Sequence, residues 1–195
     1  LTQRSRRMGV PFASTFRGGR LLCALLLVAN IPSLWGSENN HVKRYRRILL
    51  YGTDEGDDKF GQSLALVGDV NGDDVPDIAV GAPDYTSDDE DVGMVTLFHL
   101  KTSGLWHGYN FFYGDDFGVK PGSYFGASVA AVRDLNNNSR LELAVGAPEA
   151  DKIVLLSMEE DGDAQNFTVL NASTTYLDEF EDGKFGSALA SGAFV

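Results

Sequence analysis

Asp69, Asn71, Asp73 and Asp77 place side-chain oxygens at positions 1, 3, 5 and 9 of the stretch DVNGDDVPD, and the backbone carbonyl of Val75 falls at position 7. All are hard oxygen donors, the kind of which Ca2+ gathers roughly six to eight. Three carboxylates confined to one short loop repel each other, and a dication among them would remove that cost. Mg2+ suits such a set less well, because it demands strict octahedral geometry and keeps its waters. An EF-hand does not fit: its glycine and glutamate places hold Asp74 and Val80, and the flanks have the pattern of strands. A competing interpretation stays open, in which Asn71-Gly72 forms a plain hairpin turn surrounded by solvated acids.

A second, weaker version lies 65 residues further on. Asp134, Asn136, Asn138, the carbonyl of Arg140 and Glu142 take the same places, with two carboxylates rather than three. Asn137 stands where Gly72 stood, and asparagine tolerates the left-handed backbone better than most residues. Asn137 also heads the sequon Asn137-Asn138-Ser139, so a glycan there would crowd a cation. A turn without metal is the competing outcome for this loop.

Both loops sit inside a repeat, which is what must position them. KFGQSLALVGDVNGDDVPDIAVGAP (59–83) aligns without a gap on YFGASVAAVRDLNNNSRLELAVGAP (124–148), and KFGSALASGAFV (184–195) opens a third copy. The repeats run over about 59–123, 124–183 and 184–195, the last cut short. Each complete unit holds four short strand-like runs separated by Gly, Asp and Asn turns: QSLALVGDV, DIAVGAP, VGMVTLFHL and HGYNFFYG in the first. The second ends on DKIVLLSM and NFTVLN. Four antiparallel strands repeated in tandem describe the blades of an all-β propeller, partial in this chain. Phe60 and Phe125 are expected to wedge between neighbouring sheets, with Gly61 and Gly126 supplying positive φ or close approach. Gly81-Ala82-Pro83 and Gly146-Ala147-Pro148 are expected to end the second strand where blades crowd together.

With its Phe-Gly opening, Asp-x-Asn-x-Asp-x-x-x-Asp loop and Gly-Ala-Pro close, the pattern resembles the FG-GAP repeat, the blade of the integrin α-subunit N-terminal β-propeller. The likeness covers roughly residues 46–195. It implies a seven-bladed ring, Ca2+ in the loops of some blades, and extracellular adhesion or ligand binding. RRILLYG (46–52) precedes the first Phe-Gly as NFFYG precedes the second. Ile48–Tyr51 is therefore expected to complete a final blade beyond Val195, which makes these residues an N-terminal portion of a longer ring or one that must associate to close.

Charge separates the front end from the rest. Residues 1–47 carry nine of the sixteen Lys+Arg and a single acid, Glu38, whereas 48–195 set seven basic residues against 27 acids. Residues 1–37 have the order of a signal peptide: Arg17 and Arg20, the apolar LLCALLLVA, then small residues near Gly36 and Ser37. The apolar core is shorter than the roughly 20 residues that span a bilayer. Met8 is the expected start. A basic linker, 38–47, follows and has the composition of a solvated charge run. Cys23, the only cysteine, falls in the signal, which leaves no cysteine for a disulfide or thiolate site in the mature part. Sequons at Asn137, Asn166 and Asn171 fit an exported glycoprotein. The acidic clusters 53–58, 87–93, 158–163 and 178–183 are expected to be solvated loops. A surface so negative repels phosphate backbones and excludes nucleic-acid binding.

No nucleophile, base and orienting residue occur in catalytic order, and His41, His99 and His107 are expected to be surface or sheet-edge residues. Not an enzyme in itself, the chain is expected to be a secreted or cell-surface Ca2+-binding module for an extracellular protein or glycan ligand. A downstream anchor would associate it with a membrane. The alternative is the non-catalytic propeller of a larger extracellular hydrolase, like that of the glycosylphosphatidylinositol-specific phospholipases.

Overall fold

The computed structural model describes residues 58–88, 90–103, 105–135, 137, 141–172 and 183–191. The signal peptide (1–37), the basic linker (38–47) and the strand expected over Ile48–Tyr51 lie outside the described residues, as do Asn136, Asn138 and Arg140.

Eight strands form two antiparallel four-stranded sheets. The first holds β1 (Ser63–Gly68), β2 (Asp77–Ala82), β3 (Met94–Leu100) and β4 (Trp106–Tyr113), in that spatial order. The second holds β5 (Ser128–Val132), β6 (Glu142–Ala147), β7 (Lys152–Met158) and β8 (Ala164–Asn171), again in chain order. Each is an up-and-down meander, one blade of a partial β-propeller. β2, β3 and β6 are buried throughout. Such inner strands are covered on both faces, so their sequence is a continuous apolar run rather than an alternation. The outer strand β8 is mostly half-buried or exposed. Register shifts occur at His99/Leu100 in β3 and at Ser157/Met158 in β7, so the two blades repeat even their irregularity.

The space between the sheets holds the larger core. Ala79, Val95, Leu97 and Phe112 meet Val129, Leu143, Val145 and Leu156, and Phe125 lies among them with no exposed surface. The other face of the first sheet carries Phe60, Ile78, Val80, Met94 and Phe98. Phe125 acts as the pattern suggested, its ring filling the space between the two sheets, whereas Phe60 packs on the far face of the first sheet; both following glycines take positive φ, 88° at Gly61 and 92° at Gly126.

The glycines of the second strands make the joint. A side chain on Gly81 would overlap the carbonyl oxygen of Gly126, and one on Gly146 would overlap that of Gly186. The Ser63 hydroxyl donates to the Gly126 carbonyl at 2.7 Å and the Ser128 hydroxyl to that of Gly186 at 2.6 Å. The same contact therefore joins the first repeat to the second and the second to the opening of the third.

Candidate metal centre

The loop from β1 to β2 is held by its own carboxylates. Asp69 Oδ1 accepts the amides of Gly72 (2.7 Å) and Asp73 (3.1 Å), and its Oδ2 accepts that of Asp74 (2.7 Å). Asn71 Oδ1 accepts from the Asp73 amide at 3.1 Å, and Asp73 Oδ1 from the Val75 amide at 2.9 Å. These bonds fold the chain tightly enough to drive Gly72 to φ 78° and Asp74 to 62°. His107, the second residue of β4, brings Nε2 to 3.4 Å from Asp73 Oδ2.

Asp77 differs from the other donors. It is the first residue of β2, has no exposed surface, and points into the protein. Its Oδ1 accepts the Leu100 amide at 2.9 Å; its Oδ2 accepts the Val70 amide at 3.2 Å and faces His99 Nδ1 at 3.2 Å. Val75, whose carbonyl completes the sequence pattern, is buried beside it.

In donor chemistry the set suits a hard dication. A carboxylate offers roughly four lone-pair positions. Asp69 and Asp77 each use three in these bonds, and Asp73 uses fewer. Among the described residues, however, no three His, Cys, Asp or Glu side chains converge as a ready cage. The loop's amides neutralise the carboxylates in the geometry seen, so holding a cation requires Asp69, Asn71 and Asp73 to turn their remaining lone pairs toward one point.

The second loop keeps part of this design. Glu142 opens β6 as Asp77 opens β2, is buried, and accepts the Leu135 amide on Oε2 at 2.8 Å, the counterpart of the bond from Val70. Its Oε1 is buried with no hydrogen-bond partner among the described residues. Asp134 is half-buried at the head of the loop, and Asn137 takes φ 60° where Gly72 takes 78°. Asparagine therefore does supply the left-handed turn. Asn136, Asn138 and Arg140 lie outside the described residues.

The expectation for His99 is corrected. It is not a surface or sheet-edge histidine but is buried within β3, 6% exposed. The signal lay in the strand period: Val95, Leu97 and His99 share one face, and the first two are core. Its Nε2 stands 2.7 Å from Asn110 Oδ1, and Asn110 Nδ2 in turn donates to Asp163 Oδ1 in the turn between β7 and β8. That second bond orients the amide, so Nε2 must carry a proton, while Nδ1 faces a carboxylate. Burial lowers the imidazole pKa, but the bonds to Asp77 and Asn110, with the charges of Asp77 and Asp73, outweigh it and raise it above the ordinary 6.5. With both nitrogens engaged, the ring has none left to take a proton from a nucleophile. Asp163 is likewise corrected from solvated loop acid to a residue that joins the two blades.

Comparison with known proteins agrees with this architecture. A family model described as the FG-GAP repeat matches residues 60–98 and 125–170. Integrin alpha-3 of Cricetulus griseus is 38% identical over 110 residues, 56% of this chain and 10% of that protein. Integrin alpha-7 of Homo sapiens is 39% identical over 89 residues, 46% of this chain and 7% of the relative. Human integrin alpha-6 is 34% identical over 138 residues, 67% of this chain and 10% of the relative. The chain thus spans a tenth or less of the length of these relatives. The matched segments contain the Phe-Gly wedges, the acidic loops and the glycine joints of both sheets, and the chain is an FG-GAP repeat protein carrying part of an integrin-α-like β-propeller.

Proposed function

We propose that the chain is part of an extracellular, adhesion-related β-propeller that binds a protein or glycan ligand, with Ca2+ at the first loop stiffening the blade. The supporting observation is the joint one. The FG-GAP repeat match covers segments of both repeats, and the loop joining β1 to β2 within it alternates oxygen donors at Ca2+ spacing. Asp69, Asn71, Asp73, Asp77 and the Val75 carbonyl would hold the ion. It would supply charge neutralisation to a loop that otherwise relies on its own amides.

The second loop is the weaker candidate, with Asp134, Asn136, Asn138, the Arg140 carbonyl and Glu142 as its donors. Glu142 Oε1, buried and without a hydrogen-bond partner among the described residues, favours a polar or cationic partner there. No catalytic step is assigned to these residues, since the buried His99–Asp77 pair has both imidazole nitrogens occupied within the protein.

Calorimetric titration of the intact protein tests the metal. Wild type is expected to bind at least one more Ca2+ than the variant Asp69→Ala/Asp73→Ala. At free Ca2+ near 100 times the Kd, wild type should gain about 2.7 kcal/mol of stability that the variant lacks. Equal stoichiometry in the two proteins would exclude the first loop. Partner binding, measured on the intact protein displayed at a cell surface, should fall when Ca2+ is chelated.

Glycans are proposed on Asn137, Asn166 and Asn171. Asn137 and Asn166 are exposed, the latter on the outer strand β8, so a glycan there displaces no core. Peptide mapping of the secreted protein before and after glycosidase treatment should show the mass shift at these positions; unmodified peptides would refute it.

A further inference from the structure

The Asp77–His99–Asn110–Asp163 chain of contacts crosses from one blade to the next, and nothing in the repeat pattern requires it. His99 and Asn110 lie on β3 and β4 of the first sheet, while Asp163 belongs to the turn leading into β8 of the second. The register brings Ser157 of β7 opposite Glu142, and in the first sheet His99 follows Phe98, the partner of Ile78, and meets Asp77 through its side chain; Thr168 of β8 pairs with Leu155 as Asn110 pairs with Leu97. The second blade therefore has a serine and a threonine where the first has the histidine and asparagine, and there one oxygen of the loop acid has no hydrogen-bond partner among the described residues.

The neighbouring turn is shaped to this contact. Gly162 takes φ 79°, and a side chain on it would stand 2.7 Å from His99 Nε2 and 2.9 Å from Asn110 Oδ1. The turn backbone thus seals the relay from solvent, which leaves His99 and Asp77 almost wholly buried. A buried hydrogen-bonded chain of this kind transmits position, because misplacing one member leaves the others without partners at a cost comparable to a whole hydrogen bond.

We infer that His99, Asn110 and Asp163 are positioning residues for Asp77, so that the conformation of the first acidic loop is coupled to the seating of the second blade's β7–β8 turn. The coupling itself is independent of metal. Its consequence for Ca2+ rests on the function proposed above: cation affinity at the first loop would then depend on a residue of the adjacent blade that is not itself a ligand.

Hydrogen exchange on the intact protein in EDTA tests the coupling alone. In Asp163→Ala, peptides covering 69–77 and 98–101, which contain the Val70 and Leu100 amides bonded to Asp77, should exchange about tenfold faster, the effect of losing one charge-assisted hydrogen bond. Peptides of β5 and β6 should stay within about twofold of wild type. Asp163→Asn keeps an oxygen for the Asn110 amide and should restore most of the protection, a rescue that general destabilisation would not produce. Unchanged exchange at 69–77 in Asp163→Ala, or equal acceleration throughout both sheets, would overturn the inference. A Ca2+ titration forms the second arm: if wild type shows Ca2+-dependent protection of 69–77, Asp163→Ala should need about tenfold more Ca2+ to reach it. Absence of any Ca2+ effect in wild type would sink the metal assignment while leaving the EDTA result to judge the relay.

Discussion

Replacing Phe125 by alanine is expected to destabilise the protein by about 3–5 kcal/mol, the range for truncating a fully buried aromatic side chain. Phe125 has no exposed surface and stacks on Phe117 with ring centroids 5.8 Å apart. It opens the second repeat in sequence, yet its ring sits in the core shared with the first, with its side chain against Gly114 and its backbone against Gly93. Collapse around the cavity is restricted, because the walls are two hydrogen-bonded sheets joined at Gly81 and Gly126. The loss should therefore appear as one cooperative shift in denaturant or thermal unfolding that lowers both blades together. Phe125→Leu, which keeps most of the volume, should recover more than half of it. A change below about 1 kcal/mol for Phe125→Ala would show that the two sheets do not depend on the wedge.

How much of this was legible beforehand depended on whether a feature recurs. The wedge, the joint and the four-strand order recur at a fixed spacing, and a repeated pattern can be read without knowing how the sheets meet. Gly126 at φ 92° and Asn137 at φ 60° follow the same logic, since each stands where its repeat partner takes a positive φ. The relay does not recur. His99 lies 22 residues from Asp77 and 11 from Asn110, and Asn110 lies 53 from Asp163. Strand pairing within the first sheet brings Asp77, His99 and Asn110 together, and only the seating of the second sheet against the first brings Asp163 to Asn110, a juxtaposition of which local sequence carries no trace. The acidic spacing was also legible as chemistry but not as geometry. Asp77 counts as a donor by position, whereas burial at the head of β2 turns it toward Val70, Leu100 and His99.

That placement separates Asp77 from its neighbours in the loop and gives the second large effect. Asp77→Ala is expected to cost about 3–5 kcal/mol in EDTA, because it strips the acceptor from the buried Leu100 amide, the half-buried Val70 amide and a buried imidazole at once. Asp69→Ala, at an exposed position where water can replace the carboxylate, should cost about 1 kcal/mol or less under the same conditions. The ordering should reverse in sensitivity to metal. Asp69→Ala should lose most of the Ca2+-induced stabilisation, and Asp77→Ala, already unfolded over much of the temperature range, should be seen first as a drop in the metal-free midpoint. Asp77→Asn discriminates further: it preserves shape and one acceptor, but its amide N–H must face either the Val70 and Leu100 amides, which are donors, or His99 Nδ1, which accepts it only in the neutral Nε2–H form, so about 1 kcal/mol or more should remain lost. Thermal unfolding of the three variants in EDTA and in excess Ca2+ measures the split. Were Asp77→Ala no more harmful than Asp69→Ala without metal, the interior role of Asp77 would be wrong, and its carboxylate would have to act only through a bound cation.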